Sequence, residues 1–420
     1  MSHFFSLAPE GVGTAHVESL YSYVERLALA HGATRRELMG HLQVWWKART
    51  GRHLPKSYEA RLNGYSRHTS LVLEALEMAT SRKDLRGGAI LALRGICAGN
   101  SIGSIRHTRA WCPACFEEDC AAGRPAYDRL VWQLQTVRRC SIHKLVLANT
   151  CPVCGFIQAN PHRTCELDTC SHCGQSLCSK AGSRVYEGRP FFGEAQSEAL
   201  IAHLARYPRS LLVTNPVNRL VAALERRIQS GGAAASLRGV QRFRERTSKP
   251  QLNTVVAAAV YFDADIVQLL ESPETAASQL SLDFSSSEQE RFPRPFLLGR
   301  NERRAWFREQ LEAQLASKKP CPSLVEFCQL HDYSPLTARY FHSKLSDALT
   351  RKHEKCFARR TCEARARALL ALKQGNWGHH AINRKWFIRD VAQGVRAPER
   401  LIVELIEHFS CYLEQPGANP

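Results

Sequence analysis

Apolar residues recur at helical spacing along most of the chain. In residues 16–30, Val17, Leu20, Tyr21, Val24, Leu27 and Ala28 fall on one stripe, and Gly32 stands just beyond as a stop. Thr34 and Glu37 have the spacing of a capping box, which predicts a second helix running through Trp46. Residues 70–80 and 84–97 continue the same period. Trp45 and Trp46 lie within these stripes and are expected to pack in a core. Residues 127–137 repeat Leu130, Leu134 and Val137 at helical spacing around Trp132. Helical patterns resume over 194–203 and 217–229, before the Gly/Ala/Ser break at 230–236. Residues 255–270 read as a helix pair or one helix bent around Phe262. Residues 272–300 collect Ser, Pro and charge, as expected of a linker or long surface loop.

Near the C-terminal end the pattern sharpens. Ser323 and Glu326 are spaced as a capping box, and Val325, Phe327, Cys328 and Leu330 supply the expected buried side of a short helix. His331, Asp332 and Tyr333 make a turn. Ser334 suits an N-cap and Pro335 the first helical position. Ala338, Phe341 and Leu345 form the inner stripe of the next helix. Two short helices joined by a tight turn predict a helix-turn-helix.

The expected fold is therefore mainly α. A helical domain over 1–104, itself open to a helix-turn-helix-like arrangement, precedes a tandem zinc-binding module over 105–180. A helical domain follows over 181–271, then the 272–300 linker. A C-terminal helical domain with the helix-turn-helix covers 301–420. A chain of 420 residues has room for roughly two to four domains.

Cysteine spacing assigns the middle module. Cys112/Cys115, Cys140/His143, Cys151/Cys154 and Cys170/Cys173 are four pairs, each separated by two residues. Each pair makes a tight knuckle that aims two ligands at one metal, and two pairs complete a tetrahedral structural zinc (Zn2+) site. Sequential pairing is preferred to a cross-brace. It places Cys112, Cys115, Cys140 and His143 on one ion and Cys151, Cys154, Cys170 and Cys173 on the other. Residues 116–139 can form a helix returning to its own knuckle, and the gap from Cys154 to Cys170 is a common ribbon spacing. Gly155 and Gly174 follow their knuckles where a left-handed turn is needed. Iron also suits the all-cysteine set. Trp132 is expected to anchor against a knuckle.

Cys120, Cys165, Cys178 and His172 fit no further knuckle. Cys97, Cys328, Cys356, Cys362 and Cys411 sit in apolar helical patterns and are expected in cores. The first ten residues lack a signal-peptide pattern and no apolar run is long enough to span a bilayer. A reducing, cytoplasmic setting is therefore expected, in which such spacing points to metal and not to disulfides.

Charge adds a partner. The net charge is +18, which favours a polyanion such as double-stranded DNA. Residues 334–396 carry fourteen Lys/Arg against four Asp/Glu, whereas 397–420 carry one against four. On the second helix of the pair, Thr337, Arg339, Tyr340 and Lys344 are expected to face DNA. Arg351, Lys352, Lys355, Arg359 and Arg360 would then follow the phosphate backbone. A second basic stretch runs through Arg238, Arg242, Arg244, Arg246 and Lys249.

Signs of an enzyme are few. There is no Walker loop, dinucleotide-binding glycine turn or HExxH motif. Asp263 and Asp265 form a carboxylate pair better suited to capping a turn than to holding catalytic metals. Both four-ligand sets are complete and leave no open position for a hydrolytic water.

The residues around the ligands carry a resemblance. Trp111, Pro113, Asp119, Tyr127, Arg129, Trp132, Pro152 and Gly155, in register with the cysteines and His143, resemble the TniQ/TnsD family of transposon target-selection proteins. The segment 323–345 is similar to that family's helix-turn-helix. Ser141, Lys144 and Asp332 depart from the family's usual residues, and no ligand is lost. The resemblance implies a non-enzymatic adaptor of a TnsABC/TniQ-type cut-and-paste transposon. Such an adaptor selects the target and recruits an AAA+ ATPase of the TnsC type. Family members reach DNA directly, or as dimers docked on a CRISPR effector complex with its guide RNA. The basic C-terminal part favours DNA contact in a bacterial, nucleoid-associated setting. A zinc-containing helix-turn-helix transcription regulator is the alternative.

Overall fold

The computed structural model describes residues 2–55, 62–97, 105–106, 108–158, 166–180, 193–231, 240–241, 243–244, 249–282, 300–317, 321–331, 333–374, 388, 391 and 401–406. The expected features at Cys165, Arg238, Arg242, Arg246, Asp332 and Cys411, and most of the 230–236 break and 272–300 linker, lie outside them.

The molecule is mainly α-helical. Helix α1 (Leu20–Ala30) starts at Ser19, whose hydroxyl accepts from the Ser22 amide at 3.2 Å. Helix α2 (Arg35–Thr50) opens on the expected capping box. The Thr34 amide donates to Glu37 at 2.7 Å, the Thr34 hydroxyl accepts from the Glu37 amide, and Gly51 closes the helix. Helix α3 (Arg67–Thr80) is capped by Ser66. Phe4, Leu27, Leu42, Trp46, Val72 and Leu76 fill a core between these helices. Trp45, half-buried at its edge, stacks on His3.

The period over 84–97 does not yield the expected helix. It gives two 3-10 turns, Leu85–Gly88 and Leu91–Leu93. Gly88 lies under the start of α1, where a Cβ would stand 2.8 Å from the Glu18 carbonyl. The backbone therefore approaches too closely for a side-chain-bearing helix.

Helix α4 (Pro113–Ala121) follows, but 127–137 again differs from expectation, with only the 3-10 turn Leu130–Gln133. Here the main chain pairs with the approach to α1. The Ser19 amide donates to Asp128 O (2.9 Å) and the Leu130 amide to Val17 O (2.8 Å). These groups cannot also close helical turns.

Helices α5 (Glu194–Arg206), α6 (Pro216–Gly231), α7 (Leu252–Phe262) and α8 (Ile266–Glu271) complete the centre. Asp263 turns the chain at φ 55, and Asp265 caps α8 by accepting from the Gln268 amide at 2.8 Å. The carboxylate pair thus shapes a helix pair. The expected linker at 272–300 begins as helix α9 (Pro273–Gln279), because Ala276 and Ala277 are buried in the core.

One apolar core runs from Val17 through Leu93, Trp111, Trp132 and Leu177 to Leu200, Leu220, Val255 and Ala277. It crosses the boundaries expected at 104/105 and 180/181. Polar contacts cross them too: Glu194 of α5 accepts from the Arg138 amide (2.8 Å) and from Arg139 (3.3 Å).

A separate core in the C-terminal part joins α10 (Arg300–Ala316), α11 (Leu324–Leu330), α12 (Pro335–Phe341) and α13 (Ser343–Gln374). It contains Phe307, Leu311, Phe327, Cys328, Ala338 and Leu349. Ala368, Val391, Ile402 and Leu405 form a last cluster. Among the described residues no helix is long and apolar enough to cross a membrane.

Candidate metal centres and nucleic-acid interface

Cys112 is the N-cap of α4, with Pro113 in its first turn, so the first knuckle opens a helix. The helix thereby sets Cys112 and Cys115 one turn apart on the same side of α4. The other three knuckles are hairpin turns. Each ends on a residue in the left-handed region: Lys144 (φ 56), Gly155 (φ 66) and Gly174 (φ 69). The amide of that residue returns to the carbonyl of the first ligand, Cys140, Cys151 or Cys170, at 2.9–3.0 Å. Short antiparallel bridges, Arg139 to Val146, Thr150 to Ile157 and Thr169 to Ser176, close the three hairpins.

The pairing is sequential. Cys112, Cys115, Cys140 and His143 form one group, and Cys151, Cys154, Cys170 and Cys173 another. Within each group all ligand atoms lie within 4.8 Å of one another. Cys115 to Cys140 is 3.6 Å, Cys151 to Cys173 is 3.7 Å and Cys154 to Cys170 is 3.8 Å between sulfurs. His143 Nδ1 stands 3.3, 3.5 and 3.7 Å from Cys115, Cys112 and Cys140. A tetrahedral zinc with Zn–S of ~2.3 Å and Zn–N of ~2.05 Å sets edges of about 3.8 Å and 3.6 Å. Both groups therefore fit one zinc each. Hydrogen bonds from Cys112 and Cys115 hold the Cys140 thiol well below the ordinary range, and bonds from Cys154 and Cys170 do so for Cys151. A bound cation would displace the thiol protons of each group.

The outer contacts fix these ligands. His143 Nε2 meets Glu118 at 2.7 Å, which turns Nδ1 toward the sulfurs. Gln158 is fully buried and donates to Cys170 Sγ at 3.2 Å, while its carbonyl accepts from the Ser171 amide and hydroxyl. Sequence reading missed both residues. Glu118 had a signal, three residues after Cys115 on one helical face; Gln158 had none. Trp132 packs edge-to-face on Phe116, directly after the first knuckle, as expected.

Buried ion pairs surround the first centre. Arg109 holds Asp128 through two bonds of 2.7 Å. Arg129 binds Asp119 of α4 at 2.7 Å and lies over the Tyr127 and Trp132 rings. Arg124 reaches the same Asp119. Arg109 and Arg129 are buried and structural, while Arg124 is exposed.

In the C-terminal part, Ser334 caps α12 and Ala338 is fully buried. Phe341 is half-exposed beneath the Arg304 guanidinium, and Leu345 is partly buried. On α11, Phe327 and Cys328 are buried, but Val325 is exposed, contrary to expectation. Arg339, Tyr340, Lys344, Arg351 and Lys355 are exposed and Thr337 is half-buried. Arg359 is exposed and reaches Glu363 at 3.4 Å. The Arg360 side chain lies outside the described residues. Lys352 corrects the expectation of a phosphate contact. Its ammonium donates to the carbonyls of Gln314, Leu315 and Ser317 at 2.6–3.1 Å and thereby closes the C-terminal end of α10. Arg244 is paired with Glu225. Of the cysteines expected in cores, Cys97 and Cys328 are buried, Cys356 is half-buried and Cys362 is exposed.

No curated protein matches the chain. Residues 9–147 match the TniQ family model, a stretch that runs from before α1 through all four ligands of the first centre.

Proposed function

We propose that this protein is a DNA-binding target selector of a TnsABC/TniQ-type transposon, working in the bacterial cytoplasm. It would link target DNA to an AAA+ ATPase of the TnsC type. The TniQ match over 9–147 is the observation that carries this reading. The two four-ligand groups are read as structural zinc sites that stiffen the centre, with no role in bond-making chemistry. The helical pair α11–α12 is read as a helix-turn-helix, with Arg339 and Lys344 toward DNA and Arg351, Lys355 and Arg359 along the backbone. The part from residue 300 onward is read as a separate helical domain around Phe307 and Phe327.

Co-purification with the ATPase together with duplex binding tests this reading. Failure to capture the ATPase would remove the selector role, and absence of duplex binding at low salt would remove direct DNA contact. A second reading draws on exposed Leu336 and Tyr340, which are 78% and 81% accessible on α12. Apolar exposure on the outward helix suits protein contact, as in an adaptor, monomeric or dimeric, docked on a CRISPR effector complex with guide RNA. Capture of such a complex without an independent DNA footprint would favour it.

A further inference from the structure

Three side chains outside the two four-ligand groups also converge. Cys120 lies near the end of α4, Asp168 just ahead of Cys170, and Cys178 just beyond Cys173. Their two sulfurs and a carboxylate oxygen all lie within 4.8 Å of one another. Cys120 Sγ is 3.9 Å from Cys178 Sγ and 3.6 Å from Asp168 Oδ2. A tetrahedral zinc with Zn–S of ~2.3 Å and Zn–O of ~2.1 Å sets S···S and S···O edges of about 3.8 Å and 3.6 Å. These are the spacings seen, and they match those within the two larger groups.

The backbone builds this cluster. The Leu177 amide donates to Asp168 O at 2.6 Å, and the bridge from Thr169 to Ser176 clamps Asp168 beside Cys178. Helix α4 is held against that hairpin on both sides of the cluster. Lys180 pairs with Glu117, one turn before Cys120, and Trp111 Nε1 donates to Leu177 O at 3.1 Å. The three ligands therefore come from two metal modules already docked together. Cys120 is exposed and the other two are half-buried, so the cluster opens to solvent. A disulfide would need sulfurs ~2.05 Å apart and would leave the carboxylate without a role.

We propose that Cys120, Asp168 and Cys178 form a third metal site, for a thiophilic divalent cation such as zinc, with three protein ligands and one exchangeable position facing water. On binding, each thiol releases its proton to solvent and forms one metal–sulfur bond, while the carboxylate supplies the third ligand. The ion staples α4 of the first centre to the hairpin of the second. With three ligands and an exposed sulfur it binds more weakly than the closed sites, so its occupancy follows the available metal.

The test uses the full-length chain, reduced and dialysed to equilibrium against a fixed micromolar free zinc, with bound metal counted by mass spectrometry and thiols by reagent titration. Wild-type protein is expected to hold three ions per chain and Cys120→Ser/Cys178→Ser two. Asp168→Asn is expected to weaken the third site by about tenfold while the other two stay filled. Two ions in the wild type, or three in the double variant, would overturn the site. So would loss of two titratable thiols in air with no gain of metal, which marks a redox pair. If the double variant does not fold, an unchanged third-site affinity in Asp168→Asn overturns it alone. Cys154→Ser removes an ion from a different group, so failure there is separable.

Discussion

Lys144 holds a backbone position that its two counterparts leave to glycine. Gly155 and Gly174 adopt φ 66 and 69 after their knuckles, and Lys144 adopts φ 56 in the same turn, with its amide on Cys140 O. A Cβ in the left-handed region costs about 1–2 kcal/mol, and glycine returns about 0.5–1 of that through its freer unfolded chain. Lys144→Gly is therefore expected to stabilise the first centre by up to about 1 kcal/mol, read as a higher denaturation midpoint at constant slope. Cys154 carries the opposite expectation. Its sulfur lies 3.8 Å from Cys170 in the all-cysteine group, and small metal modules draw much of their folding energy from the ion. Cys154→Ser should release about one ion per chain and loosen residues 151–178 to proteolysis; full metal content with unchanged melting would remove the ligand assignment. Ligands were legible because a knuckle is local: two ligands with two residues between them. Gln158, buried on Cys170, and the Cys120–Asp168–Cys178 cluster were not, because they depend on how separate hairpins dock.

Among the elements, those that carry their own start signals were the legible ones. Thr34 and Ser334, read as caps from the sequence, each cap the helix that follows, and Ser19 and Ser66 do the same without having been read so. Where tertiary pairing claims the backbone, period misleads. Residues 128–130 spend their amides and carbonyls on the approach to α1, and Gly88 is pressed beneath it. The turn between α11 and α12 shows an element-level consequence. His331 packs among the rings of Trp306, Phe307 and Phe327, and burial, aided by the positive charge of Arg138, lowers its pKa to about 4. The unfolded chain, with histidine near 6.5, then binds more protons than the folded one between about pH 6.5 and 4. Stability contributed by neutral His331 is present above that window and lost as pH falls through it. The ceiling is roughly 3 kcal/mol, and partial exposure cuts it to about 1–2. His331→Phe should flatten the fall of the unfolding midpoint between pH 6.5 and 4 relative to wild type. Since the metal ligands are unchanged, the difference isolates this ring; parallel pH profiles would count against it.

At the scale of the whole molecule, the TniQ stretch is one body with its first metal centre. The Arg109–Asp128 pair is buried, the Asp128 amide donates to the Ser22 hydroxyl, and the Leu130 amide donates to Val17 O. Removing one partner of such a pair leaves a buried charge and typically costs 3–5 kcal/mol. The family match over 9–147 spans this interlocked stretch, across the limit expected at 104/105. Charge is distributed differently. The cations near the first centre, Arg109, Arg129 and Arg139, are turned inward onto Asp128, Asp119 and Glu194. Arg339, Lys344, Arg351 and Lys355 on α12 and α13 are exposed. If these four meet phosphate, log affinity for duplex DNA should fall with log salt at a slope of about −3 to −4. Arg339→Ala should lower that slope by about 1 if it touches phosphate, or cost ~1–3 kcal/mol on one sequence only if it reads a base edge. Lys352→Ala supplies the contrast. Its ammonium is bound to the last carbonyls of α10, so the variant should lose stability and keep the wild-type salt slope. A flat salt dependence in the wild type would leave these exposed cations without a nucleic-acid role and turn attention to Leu336 and Tyr340 as a protein-facing surface.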